Sequence, residues 1–252
     1  MTLPLEPSSP ADVVLIAGGL YHDVDYARLR LLEALGGIEA ARTRVFEDYD
    51  CLDALAATRT LVTYTCGVLP DDTQRAALAA FLARGGRWLA LHGTNSQLVL
   101  EEGKPIACPP IHPELRAMLG SQFMAHPPIG RYKVRNTAST HPLVAGIGTF
   151  FVEDEHYLQD VDPDVEVLLS SRFSGKTEMF ERAEWADGEQ PILYLKPHGQ
   201  GAVLYLTLGH ARGRYDMRPI SDRYPFVERG AWPLPVFQEL LRRGLRWALG
   251  EG

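Results

Sequence analysis

Eight histidines are spread through the 252-residue chain. Imidazole changes charge near neutral pH and ligates metals, so these residues are where chemistry is first sought. Three follow short apolar runs: His22 with Tyr21 and Asp23, His92 with Thr94 and Asn95, and His210 with Arg212 and Arg214. His126 lies between apolar residues and prolines in Phe123-Met124-Ala125-His126-Pro127. The segment Glu153-Asp154-Glu155-His156-Tyr157 sets three acids beside another histidine. His with Asp or Glu serves hydrolytic metal sites and general acid–base catalysis. Taken singly, each histidine has an ordinary alternative as a loop residue or a hydrogen-bonded core group. Cys66 reads as a small buried apolar residue. His112 and His198, beside prolines, read as structural or exposed.

The elements that must position these residues come in two kinds. Asp12 to Ala17, Arg42 to Phe46, Thr60 to Thr65 and Arg87 to Leu91 are short apolar or β-branched runs, which predicts strands. Helical spacing falls between them, over Tyr26 to Leu35 and from Pro70-Asp71-Asp72 to the stop at Gly85-Gly86. Alternation of strand and helix implies parallel neighbours, because parallel strands need long crossovers. Arg131 to Arg135, Phe150 to Val152, Val165 to Ser170, Ile192 to Lys196 and Ala202 to Thr207 follow as strands with little helix, and some of these are expected to pair antiparallel or at the sheet edge. Pro235 to Leu249 closes the chain as a helix. No linker or repeat divides the chain, which reads as one domain over residues 1–252. In open α/β sheets ligands bind outside the carboxyl ends of the strands. His22, His92 and His210 stand at three such ends.

Several classes are disfavoured. A net charge of −7 argues against a nucleic-acid surface. Cys51, Cys66 and Cys108 form no CxxC pair. GxSxG, the phosphate loop, GxGxxG and HExxH are all missing. No apolar run reaches the roughly 18 residues of a membrane span, and the first ten residues lack a signal-peptide pattern. A cytoplasmic protein is expected.

Further pieces, taken in order, carry a resemblance. They are the segment GGRWLALHGTN from Gly85 to Asn95, QFMAHPP from Gln122 to Pro128, HPLVAGI from His141 to Ile147, and EDEHY from Glu153 to Tyr157. GQGAVLYLTLGH from Gly199 to His210 and GLRWALG from Gly244 to Gly250 complete the set. Together the chain resembles the trehalose-utilisation (ThuA-like) family of the class I glutamine amidotransferase-like superfamily. The resemblance implies a flavodoxin-like α/β fold, with a mostly parallel sheet and helices on both faces. It implies a cleft built from His22, His92, His126, Glu155, Tyr157 and His210. Class I amidotransferases keep a nucleophilic cysteine at a strand-to-helix elbow. The comparable place here holds His92, and imidazole cannot form the glutamyl thioester, so no glutaminase activity is expected. The family is associated with disaccharide catabolism, notably trehalose and keto-sugars, and some members hold a metal such as zinc. Ser171 to Gln190 matches no family element, and substrate choice is expected to lie there.

Two functions follow. One is an enzyme acting on a small-molecule carbohydrate or keto-sugar, with His92, His210 and Glu155 catalytic and with Tyr21, His22, Thr94, Asn95, His126 and Tyr157 binding substrate. Glu155 would orient a histidine or ligate a divalent metal, whose full ligand set stays open. Tyr21, Tyr157 and Tyr215 offer rings on which a sugar can stack. The other is a non-catalytic sugar-binding or regulatory protein on an amidotransferase-like scaffold. An interaction module ranks below both, and a homo-oligomer is compatible with each reading.

Overall fold

Uninterrupted apolar runs can be buried on both faces of a sheet, and the first strand does this. In the computed structural model, which describes residues 12–38, 41–218 and 220–251, β1 (Val13–Gly19) sends Val13, Leu15 and Ala17 to one core and Val14 and Ile16 to the other. The expectation for the first ten residues lies outside the described residues. Four more strands join β1 in one parallel run, each parallel to its neighbour: β2 (Thr43–Phe46), β3 (Thr60–Cys66), β4 (Arg87–Leu91) and, much later in the chain, β11 (Gly201–Leu206). Their order, β2-β1-β3-β4-β11, is the flavodoxin-like order 2-1-3-4-5.

Helices make the crossovers. α1 (Val24–Gly36) is capped by Asp23, whose side chain accepts from the Tyr26 N–H at 3.0 Å. α3 (Asp72–Ala83) begins with a reciprocal box between Asp71 and Gln74. α1 and α5 (Pro235–Leu249) belong to one core with Val62, Leu89 and Leu204. α2 (Leu52–Ala57), α3 and α4 (Pro113–Leu119) belong to the other with Leu61, Trp88 and Val203.

The expectation of a mostly parallel sheet needs correction. β10 (Glu184–His198), β9 (Glu166–Lys176), β6 (Gly130–Asn136) and β7 (Phe150–Asp154) extend the sheet beyond β11, each antiparallel to its neighbour. The result is a nine-stranded mixed sheet with few helices. The cause is connection length. Only Gly199 and Gln200 separate β10 from β11, and a two-residue turn, with Gly199 at φ 61°, joins only antiparallel strands. Two short strands absent from the sequence-based expectation, β5 (Ser121–Ala125) and β8 (Leu158–Val161), form a separate antiparallel pair. Around it a third apolar cluster forms from Phe123, Tyr157, Leu158, Phe180 and Trp185. No helix among the described residues is long and apolar enough to cross a membrane.

Candidate functional site

The sheet order reverses at β1, between β2 and β3, and the carboxyl ends of β1, β3, β4 and β11 open beside this point. Two non-glycine residues among the described ones have positive φ: Tyr21 at 66° and His92 at 47°. Such backbone costs of order 1–3 kcal/mol and persists where surrounding structure enforces it. His92 opens a 3₁₀ turn, His92–Asn95, directly after β4. Its carbonyl accepts from the Tyr205 hydroxyl. At the next residue, Gly93, a Cβ would lie 2.6 Å from the Thr65 carbonyl oxygen, so this turn presses closely on the end of β3.

His22, His92, His210 and Glu155 come together here, all buried. One ligand atom from each lies within 4.8 Å of the others. Glu155 Oε2 is 3.3 Å from His92 Nε2 and 3.7 Å from His22 Nε2. Its Oε1 is 3.1 Å from His210 Nδ1 and 3.2 Å from Arg212 Nη2. The far nitrogen of each ring is already committed. His22 Nδ1 donates to the Leu20 carbonyl at 3.1 Å and His92 Nδ1 to the Thr207 carbonyl at 2.8 Å. His210 Nε2 donates to Glu228 Oε2 at 2.9 Å. Carbonyls and carboxylates only accept, so these three nitrogens carry the protons. In the neutral rings the inward nitrogens therefore present bare lone pairs. His22 Nε2 and His92 Nε2 meet at 2.9 Å, a contact that requires a cation between or on them. His210 Nδ1 has no partner in hydrogen-bonding geometry, although Glu155 Oε1 stands 3.1 Å away.

Without a metal, protons supply that cation. Burial opposes charge on His22, but Cys66 and Glu155 beside it raise its pKa to about 9. His210, also against burial, is raised to about 9 by Glu155 and Glu228. Burial pushes His92 below its ordinary value, which Glu155 offsets only in part. Burial alone would raise the Glu155 carboxyl, yet the rings of His126, His210 and His22 hold it well below the usual carboxylate range.

Three charged residues outside the expected set hold this arrangement. Asp154 is fully buried and accepts backbone N–H bonds from Glu155 at 2.7 Å, Ala231 at 2.8 Å, Gly209 at 3.1 Å and His210 at 3.2 Å. It ties the end of β7 to the loop after β11, setting Glu155 and His210 side by side. Arg212 bridges Glu155 and Glu228, at 3.2 and 2.9 Å. Glu228 receives the His210 proton donor. Arg212 was visible in the sequence as a basic residue after a strand; nothing local marked Glu228.

A cavity of about 650 Å³ opens over the cluster, lined by Tyr21, His22, Cys66, His126, Glu155 and Tyr157 among others. His126 Nδ1 donates to the Pro127 carbonyl at 2.7 Å, and its Nε2 is 3.6 Å from Glu155 Oε1. His92 and His210 are not among the lining residues. Thr94 and Asn95, expected to bind substrate, are not there either. Thr94 bonds Thr63 Oγ1 at 3.0 Å and the Leu91 carbonyl at 2.8 Å. Asn95 donates to Ser121 Oγ and Gln159 Oε1, at 2.7 and 2.9 Å. Both brace the 3₁₀ turn instead, Thr94 against β3 and β4 of the sheet and Asn95 against the β5–β8 pair. Tyr215 is 60% exposed and outside the cavity. His156 stacks on Tyr132 at 4.1 Å, and burial lowers its pKa to about 4. His112 caps α4, and His141 accepts from the Leu143 N–H in a turn.

A family model for trehalose utilisation, ThuA, matches residues 12–222. The chain belongs to the ThuA family. Its fold is similar to that of a ThuA-like protein from Bacteroides uniformis ATCC 8492, with 17% identity, a TM-score of 0.64, and coverage of 98% of this chain and 95% of the other. A ThuA-like protein from Parabacteroides merdae ATCC 43184 is similar at 16% identity and a TM-score of 0.62, covering 95% and 90%. A β-galactosidase from Rahnella sp. R3 shares the fold over 96% of this chain and 31% of its own, with 12% identity and a TM-score of 0.55. No curated protein matches the chain. Membership of the ThuA family gives the chain a carbohydrate-related role.

Proposed function

We propose that this ThuA protein is a cytoplasmic, single-domain enzyme acting on a keto-sugar derivative, in which His22, His92, His210 and Glu155 hold a divalent cation. The observation that carries this reading is the commitment of each ring's far nitrogen to an acceptor, which aims three inward nitrogens and a carboxylate at one point. Such outer acceptors fix tautomer and orientation in metal-ligating histidines. The orphaned His210 Nδ1 fits the same account. A donor set of nitrogen and oxygen without thiolate suits zinc. When bound, the ion supplies Lewis-acid stabilisation of a substrate oxygen that gains negative charge.

The chain's own groups divide the remaining work. His92 and His210 do not line the cavity, so ligation suits them better than direct proton transfer to substrate. His126 does line it. Its Nδ1 is committed to the Pro127 carbonyl, which leaves Nε2 to act as the base toward a C–H bond next to a keto group. Arg212, also on the wall, binds and orients substrate oxygens while steadying Glu155. Tyr21, His22 and Tyr157 shape the polar end. With an imidazole at the elbow in place of a thiol, the protein should not hydrolyse glutamine.

A screen of keto-sugar derivatives, from free keto-sugars to keto-glycosides, with wild-type protein and His126→Ala tests this. Turnover of one sugar should fall by about 10²–10⁴-fold in the variant, with metal content unchanged. Equal turnover would remove His126 from the chemistry. A non-catalytic sugar-binding protein is the second reading, favoured by the burial of His92 and His210. It predicts binding of such sugars with no consumption.

A further inference from the structure

The cavity is chemically lopsided. His22, His126, Glu155 and Arg212 lie together at one side. Much of the remaining wall is Leu98, Ile106, Phe123, Met179, Phe180 and Ile220. Aromatic rings run continuously from the cluster into this wall: Tyr157 meets Phe123 at 4.5 Å, Phe123 meets Phe180 at 5.7 Å, and His126 meets Phe180 at 5.1 Å. The wall is tied in place by backbone bonds from the Ile106 N–H to Met179 at 2.7 Å and from the Glu181 N–H to Ile106 at 3.0 Å. Met179 and Ile220 are each more than half exposed, leaving apolar surface that a ligand would cover. Met179 and Phe180 come from the stretch Ser171 to Gln190, where substrate choice was expected to lie.

A second sugar ring would be poorly served here. Each hydroxyl moved from water to an apolar wall without a partner is costly. Of the polar lining residues beyond the cluster, Tyr224 already donates to Glu228 at 3.1 Å, Ser96 is buried, and Lys104 and Glu178 are exposed, with Lys104 paired with Glu101. An apolar group at that position gains from burial in proportion to its area.

We infer that the cavity is a two-part site, in which the polar end takes one sugar ring and the apolar wall takes a hydrophobic aglycone. The substrate class is then an aryl or alkyl glycoside, in its keto form for turnover, rather than a disaccharide. This rests on the reading of the polar end as a sugar site.

Calorimetric titration of the full chain with methyl and phenyl glucopyranosides, both anomers, and with phenol alone tests it. The phenyl glycoside should bind about tenfold tighter than the methyl one. Met179→Glu, at an exposed position, should reduce that preference below about threefold while methyl glucoside affinity holds. Phe180→Ala should act in the same direction, but Phe180 is buried, so Met179→Glu carries the test if that variant fails to fold. Equal affinities, no binding of the phenyl glycoside, or a preference untouched by Met179→Glu would overturn the inference. Phenol binding as tightly as phenyl glucoside would leave the apolar wall standing and defeat the sugar reading instead.

Discussion

Asp154 accepts four backbone N–H groups from three stretches of chain, and it does so out of contact with water. Removing an acceptor from buried donors costs about 1–3 kcal/mol for each group left unsatisfied. Asp154→Ala should therefore lose at least ~3 kcal/mol in urea unfolding, and a loss under ~1 kcal/mol would show that these bonds matter little. The thiols give a separate, pH-dependent expectation. Burial pushes Cys108 up to about 12 and Cys51 up to about 11 from an ordinary 9.0. The thiolate is the reactive form, so alkylation of both in the native protein should be slow at pH 8. It should rise about tenfold per pH unit until each pKa is reached, while the unfolded chain reacts fast throughout. Much of the candidate cluster was legible at this scale. His22, His92 and His210 follow from strand ends alone, and Glu155, Tyr157 and His126 from the family resemblance. Asp154 and Glu228 could not be read as the groups that hold the site, because their partners lie far along the chain: Asp154 joins residues up to 77 positions away. Thr94 and Asn95 misled because their place after a strand is shared by ligand-binding and bracing residues alike.

At the scale of elements, β1, β3, β4 and β11 were legible because each is a largely apolar run buried on both faces, whereas β2 at the edge is short and partly exposed. The antiparallel half was less so. Its strands were found, but pairing direction depends on turns such as Gly199-Gln200, and β5 and β8 are too short and mixed to stand out. Glycines mark where elements close on one another. At Gly19, φ is +112° and a Cβ would lie 2.1 Å from the Cys66 carbonyl oxygen. Gly19→Ala should cost ~2 kcal/mol or more and disturb the β1 end that carries His22. Gly36, at the end of α1, has nothing within 4 Å of such a Cβ. Gly36→Ala should be neutral or stabilise by up to ~1 kcal/mol. Thermal unfolding of the pair separates the two cases, and equal effects would contradict this account of the β1–β3 contact.

Across the whole molecule, two halves of the chain meet at the cluster. His22 and His92 come from the parallel half, Glu155 from the end of the antiparallel wing, and His210 from the loop after β11, the strand that joins them. A ligand bound to all four would hold both halves together and stabilise the folded state by an amount that grows with the logarithm of its affinity. The central claim is that these four side chains form one cation site. Isothermal titration of chelator-treated protein with Zn²⁺, for wild type, Glu155→Ala and a His112→Ala control, tests it most directly. The account predicts one ion per chain for wild type and the control, and affinity weakened by about two orders of magnitude or more in Glu155→Ala. No Zn²⁺ binding by wild type, or equal binding by Glu155→Ala, would contradict it.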